Sequence, residues 1–324
     1  MPTTLTARGP EDLLAAVPVV LGFRPQDALV LLTFGPQQAF HARLDLPSTA
    51  GAEETAEVVE VLLDPCRRHE VDRVAFVIYS ADAALASSLA AALVPAFVAD
   101  GIGVVDVLRA HDGRWCRVPI GVDAHEPPSA PYDDTHHPFS AQAMFEGRIT
   151  HATREDLRAT LAADTDLVRR RTRALARLPE AGPGDVARVS DVVAGWVARG
   201  GPPDDPGACR VLRAVTRVDV RDAVLYAVTR DTAREHLRVW SALLRGAPDL
   251  QVPDVGAVTA FCAWQAGDGA LAWCALDRCF EVDPGHPLGL CLAECLVRAI
   301  PPTAWDDIAQ DRRSATGWRG PFGA

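Results

Sequence analysis

Ahead of Gly121 the apolar residues gather in short, nearly unbroken runs, whereas behind Pro138 they recur at helical three- and four-residue intervals. Ala28 to Phe34 is one such run and predicts a strand, after which Gly35-Pro36-Gln37-Gln38 turns the chain. Phe40, Ala42, Leu44 and Leu46 alternate with His41, Arg43 and Asp45, the period of a half-exposed strand, so the two segments predict a hairpin. Arg73 to Tyr79 is apolar on both faces, as a central strand is, and Ile102 to Leu108 and Arg114 to Val118 predict further strands. Helical spacing begins at Pro10 and closes at Pro18. It returns from Glu53 to about Leu63, ahead of Pro65, and again through Leu85, Leu89, Leu93 and Phe97. This alternation predicts an α/β N-terminal domain, with right-handed crossovers in a mostly parallel sheet that ends in an antiparallel edge.

From Gly121 to Pro138 the pattern gives way to proline, acid and histidine, the natural junction. Beyond it the spacing predicts an all-α, repeat-like domain. Its helices are expected over Arg154–Leu178, Asp185–Arg199, Cys209–Thr216, Asp219–Thr229, Thr232–Arg245, Val255–Gln265, Ala270–Val282 and Pro287–Ala299. The polar, glycine-rich tail from Gln310 is expected to fray. The expected divisions are therefore 1–120, the junction 121–138, a helical domain 139–309 and a flexible tail 310–324. Within the helical part, Gly267-Asp268, Ala272, Leu276, Cys279 and Asp283-Pro284 stand at the spacings of one tetratricopeptide-like unit of about 34 residues. One such unit cannot bury its own faces, so preceding helix pairs would be degenerate relatives. An irregular bundle that packs one hairpin this way is the alternative.

Composition narrows the chemistry. The net charge is -11 with an isoelectric point near 5.3, which repels nucleic-acid phosphates at long range and makes nucleic acid an unexpected partner. All 32 basic residues are arginine, so a Walker-type phosphate lysine, a Schiff-base lysine and a lysine general base are excluded. No apolar run reaches the roughly 18 residues of a membrane span, and Met1 to Pro10 carries no apolar export segment. A cytoplasmic location is the expectation. The eight cysteines include no C-x-x-C pair. They read as small core residues in a reducing compartment, with a zinc site of Cys274, Cys279, Cys291 and Cys295 as the sharper alternative.

Three constellations carry candidate chemistry. In the junction, His125, Glu126, His136 and His137, with Asp123, Asp133 and Asp134, offer imidazole and carboxylate ligands for a cation. They lack the helical H-E-x-x-H spacing, and a solvated linker has the same composition. At the carboxyl edge of a parallel sheet, Arg43, Asp45, Tyr79, Asp82, His111 and Trp115 would gather with Ser80 and Asp112. There His111 beside carboxylates could exchange protons and Trp115 could stack on a planar ligand. No glycine-rich phosphate loop and no G-x-S-x-G elbow accompanies them, so no cofactor and no reaction class is implied. Arg169-Arg170-Arg171, with Arg173 and Arg177, spreads around a helix and reads as a solvated face, with a contact for an acidic partner or RNA as the alternative, the overall negative charge weighing against nucleic acid.

The front half resembles an actinobacterial family known only as a domain of unknown function, DUF4192-like. The residues that carry the likeness are Arg8 through Pro18, Leu21-Gly22-Phe23-Arg24-Pro25-Gln26-Asp27-Ala28-Leu29-Val30, Arg43-Leu44-Asp45-Leu46-Pro47, the strand ending at Tyr79, and Gly113-Arg114-Trp115. Ala263-Trp264 through Gly267-Asp268-Gly269-Ala270 to Asp283-Pro284 extends it to the back. The resemblance implies relatives and no reaction. Family members carry cysteines before a Pro-Pro pair in the junction, where this chain has His125-Glu126 before Pro127-Pro128. A metal or cross-link at that place would need histidine and carboxylate instead. Three functional readings follow: an interaction or regulatory protein that holds a protein partner through the helical half, a small-molecule binder or enzyme at the sheet edge, and a metal-binding junction. The repeat-like signature favours the first.

Overall fold

The computed structural model describes residues 6–35, 40–47, 51–119, 127–182, 184–200 and 203–316, with side chains as far as Ala309. The chain divides into two compact units, Met1–Arg154 and Glu155–Ala324.

The first unit runs α1 (Pro10–Leu21), β1 (Ala28–Phe34), β2 (His41–Asp45), α2 (Ala52–Arg68), β3 (Arg73–Tyr79), α3 (Ala83–Ala99), β4 (Gly103–His111), β5 (Arg114–Arg117), β6 (Ala130–Pro131) and α4 (Pro138–Phe145). It therefore extends past the 121–138 junction and takes in α4, the first helix behind it. The six strands lie in the order β2-β1-β3-β4-β5-β6. The α/β front and helical back stand as the apolar pattern predicts, but the sheet is mixed rather than mostly parallel. Only β3 and β4 pair in parallel, while β1 is antiparallel to both β2 and β3, and β5 is antiparallel to both β4 and β6. The β1–β2 hairpin causes this: α2 carries the chain back past β2, so β3 joins the free side of β1, which runs the other way. β2, β3 and β4 nevertheless share one direction, and their carboxyl ends share one edge.

Alternation decides what each face covers. Leu29, Leu31, Val74, Phe76 and Ile78 face α2 and α3 in a core with Leu62, Leu63, Leu89, Leu93 and Phe97. Phe76 and Phe97 meet edge to face at 5.1 Å. The alternate residues Ala28, Val30, Leu32, Ala75 and Val77 are buried as well, so β1 and β3 are covered on both sides. Neither proline ends its helix. Pro18 lies inside α1 and Pro65 inside α2, each in the last turn, where it forfeits a single i→i−4 hydrogen bond and leaves little helix beyond it to kink; left-handed Gly22 (φ 75°), donating to the Pro18 carbonyl at 2.9 Å, closes α1.

The second unit consists, with its opening residue from the first, of α5 (Arg154–Ala159), α6 (Thr165–Leu175), α7 (Asp185–Arg199), α8 (Asp205–Ala214), α9 (Val218–Ala227), α10 (Ala233–Arg245), α11 (Val252–Gln265), α12 (Gly269–Phe280), α13 (Pro287–Val297) and α14 (Thr303–Thr316). The single helix expected over Arg154–Leu178 is two, because Asp164 caps a new start by accepting from the Leu167 N–H at 3.0 Å. The backbone of α14 also continues through Gln310 to Thr316, part of the segment expected to fray, and residues 317–324 lie outside the described ones. Every residue of α11 except Asp254 is buried, and α9, α10, α12 and α13 surround it. Gly256 lets α12 approach closely: a Cβ there would stand 3.1 Å from both the Ala275 carbonyl oxygen and the Cys279 Cβ. Gly267 (φ 77°) turns the chain between the two, and Asp268 caps α12.

Candidate functional site

At the sheet edge the register aligns one row across all six strands: Asp45, Ala28, Tyr79, Ala110, Trp115 and Ala130. Cross-strand partners share a face, so Asp45, Tyr79 and Trp115 lie on the face away from α2 and α3, and Arg43, two residues before Asp45, joins them. His111 follows Ala110 and so points to the other face, where it is exposed and meets Asp112 at 3.3 Å. Asp82 caps α3, accepting from the N–H groups of Ala84 at 2.8 Å and Leu85 at 3.1 Å. The six candidates thus share an edge without forming one acid–base centre. Even the three on the row are separated by alanine positions, about 10 Å at each step of two strands.

Their environments differ accordingly. Arg43 pairs with Asp45 at 2.7 Å, while among the described residues neither its buried Nε nor the buried Trp115 Nε1 has a partner. Tyr79 is buried, and burial, then Tyr132 and Asp134, raise its phenol well above the usual 10, so it stays protonated at neutral pH. Tyr132, Asp134 and Arg24 complete this corner, unforeseen from the sequence pattern. Arg24 Nε donates to Asp134 at 3.0 and 3.2 Å, and its Nη2 donates to Thr135 at 3.1 Å. The later part of the junction is held against the loop that follows α1.

That anchoring also engages the junction histidines. His137 Nδ1 accepts from the Phe139 N–H at 3.2 Å, which caps α4, and this places the ring proton on Nε2, facing Asp12 Oδ1 at 3.0 Å. His136 Nδ1 meets exposed Asp133 at 2.6 Å; this bond and the N–H groups of Thr135 and His136 hold the Asp133 carboxyl down at about 2. His125 and Glu126 lie outside the described residues. Among the described residues no group of three or more His, Cys, Asp or Glu side chains is placed to hold a metal ion. Six of the cysteines are buried, Cys295 is half-buried and Cys291 exposed; burial pushes the Cys279 thiol up to about 12. The arginine run is no open basic face, since Arg171 is buried against Asp205 at 3.4 Å and Arg169 and Arg170 pair with Asp166 and Asp205.

A second site lies in the helical unit, on the face shared by α9 and α11. The connection that leaves α13, Ile300-Pro301-Pro302, and the first turn of α14 cross this face. Trp264 Nε1 donates to the Ile300 carbonyl at 2.9 Å, and Gln265 Nε2 donates to the Pro302 carbonyl at 3.3 Å. Trp305 stacks on Tyr226 (5.2 Å between ring centroids, 23° between planes) and meets Phe261 edge-on at 4.9 Å. Arg230 pairs with Asp306 at 3.0 Å. Two side-chain amides or indoles reading backbone carbonyls, with an aromatic slot and a cation beside them, are the elements of an extended-segment clamp. The visible sequence signal is Pro-Pro followed three residues later by tryptophan, which periodicity does not register.

Fold and sites thus define a two-unit protein, a mixed α/β sheet followed by an all-helical unit. The chain belongs to the family described as a domain of unknown function, DUF4192, whose model matches residues 10–303 and so spans both units. No curated protein and no solved structure matches it. No described helix is long and apolar enough to cross a membrane.

Proposed function

We propose that this protein is an interaction protein whose helical unit holds an extended segment of a protein partner on the α9–α11 face. One observation supports the reading: that face already grips a stretch of chain through its backbone carbonyls and one inserted tryptophan, a mode that needs few particular side chains. The arrangement of neighbours agrees with it. Consecutive helices stack around α11 as pairs do in a helical array, and such arrays use their inner helices for extended ligands.

The test uses the full chain carrying Trp305→Ala, which empties the aromatic slot. A fluorescent peptide spanning residues 298–309 is expected to bind this variant in trans, and to lose binding when its own tryptophan is alanine or when Tyr226→Ala is added to the protein. A peptide that binds no better than its alanine control refutes the clamp.

A further inference from the structure

We infer that residues 300–306 are an internal pseudo-ligand, an imperfect occupant that a partner's segment must displace from the α9–α11 face. The inference rests on the clamp proposed above and adds what the partner looks like and how access is controlled. The imperfection is local and chemical. Gln265 carries a donor and an acceptor side by side, suited to the carbonyl and N–H of one residue in an extended chain. Its Nε2 is satisfied by the Pro302 carbonyl, but its Oε1 is buried with no partner among the described residues. Pro301 and Pro302 have no N–H to give it. The Nε1 of Trp305 is likewise buried in the slot it fills, with no partner among the described residues.

Two further features make this segment displaceable. Among the described residues α14 does not lie along any other helix as α12 lies along α11, and beyond residue 306 it buries Ala309 alone, so the contacts of 300–306 are a large part of what holds the segment. It also enters through Ala299 at φ 51°, a left-handed conformation unfavourable to a residue with a Cβ. The partner's segment then has a stated chemistry. It is extended, it carries an aromatic anchor followed by an acidic residue for Arg230, and it has an ordinary residue where this chain has Pro302. That residue's N–H satisfies Gln265 Oε1, and removing one buried orphan acceptor favours the partner by about tenfold.

The experiment compares two peptides of residues 298–309, one with the chain's own sequence and one with Pro302→Ala, by fluorescence anisotropy. They are titrated into wild-type, Trp305→Ala and Asp306→Arg full-length proteins. Asp306→Arg repels Arg230 and loosens the segment while leaving every residue of the clamp in place, and far-UV circular dichroism verifies that each variant is folded. The expected result is that the Pro302→Ala peptide binds about tenfold tighter than the native one, and that both variants bind it at least about tenfold tighter than wild type. Equal affinity for wild type and both variants overturns the pseudo-ligand and leaves the clamp standing. Absence of binding to all three proteins overturns the clamp and the pseudo-ligand together.

Discussion

His236 supplies a stability prediction that depends on the interior of the helical unit alone. It lies on α10, buried, one turn before the fully buried Trp240, and among the described residues neither its Nδ1 nor the Trp240 Nε1 has a partner. Burial lowers its pKa from 6.5 to about 4, and Glu235 opposes the shift only in part. A histidine depressed in the folded state binds its proton more readily when the chain unfolds. Its contribution is therefore fully present above 6.5 and is lost as pH falls through 6.5 toward about 4. The full displacement is worth about 3 kcal/mol, of which about 2 kcal/mol is lost by pH 5. Other groups titrate in this range, so the quantity to measure is a difference. Urea unfolding of wild type and His236→Leu is followed by tryptophan fluorescence at pH 7 and pH 5. The variant is expected to lose about 2 kcal/mol less than wild type between the two, because leucine has no proton to gain. Parallel pH profiles would show that His236 accepts a proton in the folded protein without penalty and would refute the argument.

Gly256→Val forces a branched side chain against the α12 backbone and is expected to cost more than about 2 kcal/mol, read as a lowered urea midpoint. Ala299→Gly relieves the left-handed residue and is expected to stabilise the protein by about 1 kcal/mol, with weaker in-trans binding of the 298–309 peptide as the segment tightens. Asp82→Ala removes two N-cap bonds from α3 and is expected to cost about 1 kcal/mol without changing peptide binding, since it is a cap. Arg24→Ala leaves Asp134 without its guanidinium partner, and limited proteolysis is expected to cut faster near residues 131–137.

Much of the front unit was legible because strand identity is a local property. The unbroken run Ala28–Phe34 and the alternation through Leu46 stand as the hairpin they predict, and Arg73–Tyr79 is buried along nearly its whole length. The candidate edge was legible only in part. Direction of chain brings Asp45, Tyr79 and His111 to one edge, but a single residue's offset within β4 turns His111 to the opposite face from Tyr79.

The amino-acid order by itself determined where segments begin, which chemistry is unavailable to a chain without lysine, and that sheet precedes helix, because these depend on neighbours a few residues away. Only the tertiary structure decided that β1 separates β2 from β3, that Arg171 is buried against Asp205, and that His137 spends both ring nitrogens on α4 and Asp12. It also decided that Trp305 closes over Tyr226 and Phe261. Those contacts join residues tens of positions apart, and their free energy comes from burial and desolvation, which exist only once the chain has folded back on itself.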